Sequence, residues 1–199
     1  MPRPNLIRSN IHPYHITARC NNKEFFPIPM EEMWEICLKH LKYLHKDHEI
    51  KVHAFVLMGN HFHLLCQTPR ANIDQAMMVF MKKISDDVHL KNNTMNHLWG
   101  SRYKWSLIQS QAYYYQVYKY IYQNPLRAKI TSLVQDYPFS TLNEDLPFPI
   151  YSHISMAFGG RKGELHWLND VLKEHHSTGI KRGLKKGNFK LAKKVISTF

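Results

Sequence analysis

Apolar residues recur at two periods along this chain, and the switches between them mark the elements. Tyr14 to Ala18 carries Ile16 and Thr17 and reads as a short strand, ended by Cys20-Asn21-Asn22-Lys23. Pro27 and Pro29 introduce a helix in which Met30, Met33, Trp34, Cys37, Leu41 and Leu44 form one apolar face. Ile50 to Met58 is rich in β-branched residues and reads as a second strand. Gly59-Asn60 turns it into a third, closed by Pro69. Ile73, Met77, Phe80, Ile84 and Val88 return to helical spacing. Asn92-Asn93-Thr94 begins a loop, Lys104 to Gln109 reads as a fourth strand, and Ser110 can cap a third helix starting at Gln111.

The predicted order is strand, helix, strand, strand, helix, strand, helix. It is the split βαβ pattern, an α+β, ferredoxin-like fold with an antiparallel sheet. The first two helices cover one face. The third carries Tyr113, Val117, Tyr120 and Asn124 on one side, spaced four, three and four, and can lie across the other face. Beyond Thr131 the pattern weakens. Tyr137-Pro138-Phe139 and Leu146-Pro147-Phe148-Pro149 read as packed linkers, and His153 to Phe158 and Leu165 to Leu172 as short helices. Lys181 to Lys190 is basic and interrupted by glycine.

Charge adds a partner class. Lys and Arg number 27 against 15 Asp and Glu, a formal charge of +12. An excess of that size favours a polyanion, nucleic acid first and an anionic membrane second. No apolar run reaches membrane-spanning length, and Met1 to Asn5 lacks the apolar core of a signal peptide. Cys20, Cys37 and Cys66 are odd in number and far apart, which fits reduced thiols and a cytoplasmic location better than disulfides or a zinc ribbon.

Chemistry concentrates in His61-Phe62-His63. Side chains two apart on a strand share a face, so both imidazoles would project together and can share one divalent cation. With 14 histidines in 199 residues, about one His-x-His arises by chance, so the pair alone is a weak signal. Phe62, Leu64 and Cys66 on the alternate face suit packing against helices. On the third helix Tyr120 and Asn124 are neighbours. An amide oxygen can complete a two-histidine site for Mg²⁺ or Mn²⁺, and a positioned tyrosine can act as a covalent nucleophile. Six tyrosines lie between Tyr113 and Tyr122, so spacing alone does not separate Tyr120 from its neighbours. Pro125 disfavours helical geometry at Asn124.

Met58-Gly59-Asn60-His61-Phe62-His63-Leu64-Leu65, Leu98-Trp99-Gly100-Ser101-Arg102-Tyr103 and Tyr120-Ile121-Tyr122-Gln123-Asn124-Pro125-Leu126-Arg127-Ala128 resemble the REP-associated tyrosine transposases, a branch of the single-tyrosine HUH transposases. Tyr14-His15-Ile16-Thr17-Ala18-Arg19 and Asp136-Tyr137-Pro138-Phe139-Ser140 match the same pattern, so the resemblance runs in order from about Pro13 to Leu142. It implies a metal-dependent single-strand DNA endonuclease and strand transferase. His61, His63 and Asn124 would be metal ligands and Tyr120 the nucleophile, forming a bond to a 5′ phosphate and releasing a 3′-OH. Many relatives outside this branch carry Gln where Asn124 stands. The implied substrates are palindromes folded as single-stranded DNA hairpins beside a short guide sequence. On this reading residues 1–142 form the HUH domain and 143–199 a basic C-terminal extension, in a cytoplasmic, nucleoid-associated monomer or homodimer.

Arg19, Arg102, Lys104 and Arg127 lie near these motifs and are candidate phosphate contacts. Lys181, Arg182, Lys185 and Lys186 are candidates for tracking a hairpin backbone. Trp99, Tyr103 and Trp105 are candidates for base stacking or for the core. His15 is placed near the site with a structural role, and His175-His176 has none. Three other readings stand beside the nuclease. The first is a domesticated protein that binds DNA or RNA hairpins without cutting. The second is an RNA-recognition module, which shares the fold order but would show aromatics on its central strands. The third is a zinc hydrolase, which would want a third His or a carboxylate.

Overall fold

The computed structural model describes residues 5–93, 96–142 and 145–191. The strands are β1 (Tyr14–Arg19), β2 (Lys51–Met58), β3 (His61–Gln67) and β4 (Lys104–Leu107). Around them lie α1 (Met30–His48), α2 (Ile73–Asn92), α3 (Gln111–Tyr122), α4 (Asn124–Arg127), α5 (Ile154–Ala157), α6 (Arg161–Asn169) and α7 (Glu174–Gly183). The sheet runs β2-β3-β1-β4 with every pair antiparallel. This is the ferredoxin-like order, and the expected fold class holds.

Period-two alternation sorts side chains between two cores. Tyr14, Ile16 and Ala18 of β1, and Phe62, Leu64 and Cys66 of β3, are buried with the apolar faces of α1 and α2. Leu65, Ala54, Val56 and Met58 lie in a second core with Val117, Tyr118, Tyr120, Ile121 and Tyr122 of α3. Between Val52 and Ala54 the β2–β3 register slips. This bulge turns Val52 and Phe55 toward the first core and Ala54 and Val56 toward the second. Ser110 accepts from Tyr113 N at 3.2 Å, the expected N-cap of α3.

Both sheet edges are covered by chain outside the four strands. Phe139 to Thr141 runs along β2, with Leu57 N donating to Phe139 O and Thr141 N to Phe55 O, both at 2.9 Å. Gly187 to Phe189 runs along β4, with Leu107 N donating to Gly187 O at 2.8 Å and Phe189 N to Leu107 O at 2.9 Å. Strand edges left bare recruit other strands, so these pairings close the sheet. The last helix is α7. It packs Ile180 into the second core beside Leu184 and Phe189. Among the described residues no helix is long and apolar enough to cross a membrane.

Candidate active site

The β2–β3 turn carries the histidine pair. Gly59 lies against the exposed ring of Phe25, which a Cβ at Gly59 would meet at 2.9 Å and push aside. Asn60 anchors the turn to the segment after β1: its Nδ2 donates to Lys23 O at 2.8 Å, and Cys20 N donates to Asn60 O at 2.9 Å. His61 stands opposite Arg19 on β1 and His63 opposite Thr17. The two imidazoles lie 5.1 Å apart, nearly perpendicular. Sequence periodicity placed them on one face, and the structure does so.

Each imidazole has one nitrogen held. His61 Nδ1 meets Asn60 Oδ1 at 2.7 Å, and His63 Nδ1 meets His15 Nε2 at 2.9 Å. His15 stacks on His63 with ring centres 5.1 Å apart. Sequence reasoning gave His15 only a structural role. The signal that could have found the contact is the run His15, Thr17, Arg19, which faces the same side as His61 and His63 once β1 and β3 are paired. Burial disfavours charging all three rings. His15 is pushed down to about 3, and His61 to about 4 with help from the cations Arg19 and Lys181. His63 is pushed well below the ordinary histidine value, first by burial and then by His15, His61, Arg19 and Arg127. All three are neutral at pH 7, the state in which a histidine ligates a metal.

Tyr120 faces the pair from α3. Its ring meets that of His63 edge-on at 6.0 Å, and the Arg127 guanidinium lies over it at 5.0 Å. The neighbouring tyrosines point elsewhere and are tied. Tyr118 Oη donates to Glu164 at 2.6 Å, Tyr122 Oη shares a 2.8 Å hydrogen bond with Thr141, and Tyr114 Oη meets His53 at 2.9 Å. Tyr113 packs on Phe189. Burial raises Tyr114, Tyr118 and Tyr122 well above the ordinary phenol value.

Pro125 has the effect its chemistry demands: α3 stops at Tyr122 and α4 begins at Asn124 with Pro125 in its first turn. Gln123 holds the joint. Its Nε2 donates to Leu168 O and Asp170 O, and its Oε1 accepts from Leu172 N. Asn124 stays one turn from Tyr120 because its Nδ2 donates to Tyr120 O at 2.9 Å and Ile121 O at 3.1 Å. The nitrogen side is thus used by the helix, and the oxygen is the donor left to other partners. Among the described residues no three His, Cys, Asp or Glu side chains gather as a metal site. Two neutral imidazoles and one carboxamide oxygen are a donor set that fits a divalent cation.

The cationic candidates divide by place. Arg19 and Arg127 are exposed beside the histidines, and Lys181 of α7 acts electrostatically on His61. Lys104 stands opposite Thr17, so Lys104 and His63 flank Thr17 on the same side of the sheet. Arg102 is exposed before β4, and Arg182, Lys185 and Lys186 are exposed around the end of α7. The stacking candidates belong to the first core. Trp99 packs edge-on against Phe26 and Phe62 and donates to Met81 O. Trp105 packs on Tyr14, and Tyr103 is partly buried beside them. All three rings are partly buried against that core.

Fold and site together define a ferredoxin-like α+β protein with an imidazole pair facing a tyrosine-bearing helix. The chain belongs to the family of IS200-like transposases, whose profile matches residues 9–124 and so includes His61, His63, Tyr120 and Asn124. Among solved structures it is similar to a REP-associated tyrosine transposase bound to a REP hairpin. The TM-score is 0.64 at 16% identity, covering 87% of this chain and 93% of that one. That likeness concerns the fold. A proposed transposase from Deinococcus radiodurans aligns over 61% of this chain and 94% of its own, at 15% identity and a TM-score of 0.41. No curated protein matches the sequence.

Proposed function

We propose that the protein is a metal-dependent single-strand DNA endonuclease and strand transferase that acts on hairpin DNA through a 5′-phosphotyrosine at Tyr120. The observation that carries this reading is the meeting of Tyr120 with His63 at 6.0 Å, while Tyr118 and Tyr122 are engaged elsewhere. Family membership supports the reaction class. The hairpin in the similar structure supports the substrate class.

His61, His63 and the Asn124 amide oxygen would hold Mg²⁺ or Mn²⁺. Such a cation supplies polarisation of a nonbridging phosphate oxygen and neutralises developing charge. Tyr120 Oη attacks phosphorus, its proton leaves to solvent, and the DNA 3′ oxygen departs as a 3′-OH. Arg127, whose guanidinium lies over the ring of Tyr120, is placed to meet the phosphate. The phosphodiester energy stays in the protein–DNA link, so a second 3′-OH can reverse the step without ATP. Arg19, Lys104, Lys181 and the exposed cations near α7 hold the DNA backbone. We read residues 1–142 as the catalytic unit and 143–199 as an extension that adds charge beside it, in a cytoplasmic, nucleoid-associated protein.

The test is incubation of labelled single-stranded hairpin DNA, taken from the flanks of the gene, with the protein and Mn²⁺. A denaturant-stable adduct is expected, and it should disappear when His61 and His63 are both changed to Ala. Equal cleavage by the double variant would overturn the metal reading. Hairpin binding with no cleavage under any divalent cation would favour a domesticated binding protein instead.

A further inference from the structure

The two imidazoles of the candidate centre are gripped in the same way by residues of different origin. His61 Nδ1 lies 2.7 Å from Asn60 Oδ1, and His63 Nδ1 lies 2.9 Å from His15 Nε2. Asn60 Oδ1 can only accept, so His61 carries its proton on Nδ1 and presents a lone pair at Nε2. The His15–His63 contact needs one proton between the two nitrogens. A His63 that ligates through Nε2 must carry its proton on Nδ1. His63 then donates, His15 accepts through Nε2, and the proton of His15 sits on its own Nδ1. His15 is only 2 % exposed and is stacked on His63, so its acceptor is fixed in direction.

We infer that His15 and Asn60 are positioning residues that set the tautomer and orientation of His63 and His61, so that both present Nε2 to one cation. The inference rests on the two-histidine reading of the site and adds to it the pair that makes it preorganised. Partners of this kind raise ligand basicity and fix the ring, and losing one typically weakens metal affinity about 10–100-fold. An imidazole acceptor in place of the usual carboxylate adds no negative charge beside His63. That suits a site that must also admit a phosphodiester.

The experiment is a Mn²⁺ titration of the full-length protein followed by electron paramagnetic resonance, with thermal unfolding recorded alongside. His15→Phe keeps a flat ring against His63 and removes the acceptor; His15→Gln restores an acceptor. The Mn²⁺ Kd is expected to rise about 10–100-fold in His15→Phe and to recover in part in His15→Gln. Asn60→Ala should weaken binding similarly. If His15→Phe folds and binds Mn²⁺ like the unaltered protein, the positioning role is wrong. If the protein with both His61 and His63 changed to Ala also binds like the unaltered protein, the two-histidine reading itself is wrong. Nitrogen-15 NMR of the histidine rings in the unaltered protein needs no variant. Nδ1-protonated His61 and His63 are expected, and His63 protonated on Nε2 would overturn the inference even if His15→Phe failed to fold.

Discussion

The two faces of the same four strands are built on opposite terms. Toward α1 and α2, β3 offers Phe62, Leu64 and Cys66, all fully buried among apolar neighbours. Toward α3 it offers His61, His63 and Leu65, and the space around them holds His15, Thr17 and a helix dense in tyrosine. One face is closed by the hydrophobic effect, which is non-directional and tolerant. The other is closed partly by directed hydrogen bonds: Tyr118 to Glu164, Tyr122 to Thr141, Gln123 to the chain at Leu168 to Leu172. The first face stabilises. The second spends buried polar groups on geometry. Among the described residues two tyrosines of α3 make no hydroxyl hydrogen bond: Tyr113, which packs on Phe189, and Tyr120, which faces the histidines.

That contrast can be broken most forcefully at adjacent positions of β3. Phe62, wedged between Phe80 and Trp99 at ring distances of 5.6 Å, should lose about 3–5 kcal/mol of stability on change to Ala. Whatever stays folded should still cleave DNA. His63→Ala leaves His15 without its partner and should cost only about 1–3 kcal/mol, yet abolish cleavage. Urea denaturation and a hairpin-cleavage assay on both variants check this. Equal loss of cleavage per folded molecule would erase the distinction between the faces.

Next in size is Tyr118→Phe. It takes a donor from Glu164, which is buried and among the described residues keeps Arg161, so a loss of about 1–3 kcal/mol is expected with cleavage retained.

Acidification should also act on the second face. His15, His53 and His61 have folded pKa values of about 3, about 4 and about 4, against 6.5 when unfolded. Below pH 6.5 the unfolded chain therefore binds protons that the folded protein refuses. Stability is full above about 6.5 and falls as pH drops toward 4. Denaturation midpoints at pH 7, 6 and 5 should decline in that order; a flat profile would mean these rings charge freely when folded.

The smallest effects belong to exposed cations. Arg19→Ala and Arg127→Ala should each reduce the slope of log affinity for hairpin DNA against log salt by about one.

Much of the fold was legible because it is written locally. The switch between periods of two and of about 3.6 gave the split βαβ order, and period two put His61 and His63 on one face. The choice of Tyr120 among six tyrosines was not legible from spacing. It depends on which side of α3 meets the sheet, and that is settled by long-range contacts. The conflict between Pro125 and the Tyr120–Asn124 pairing was visible but not its resolution, because Gln123 is held by chain about 45 to 49 residues away. The His15–His63 contact needed the β1–β3 register. The pairing of Phe139 to Thr141 with β2 and of Gly187 to Phe189 with β4 was not legible, because edge pairing uses backbone groups, which leave no side-chain pattern.

The central claim is that Tyr120, and no other tyrosine of α3, is the group aimed at the histidine pair. Peptide mapping of the covalent adduct trapped on hairpin DNA with Mn²⁺ tests it most directly. DNA on Tyr120, with no adduct at all from Tyr120→Phe, is the expected result. DNA on Tyr113, Tyr118 or Tyr122, or an undiminished adduct from Tyr120→Phe, would contradict it.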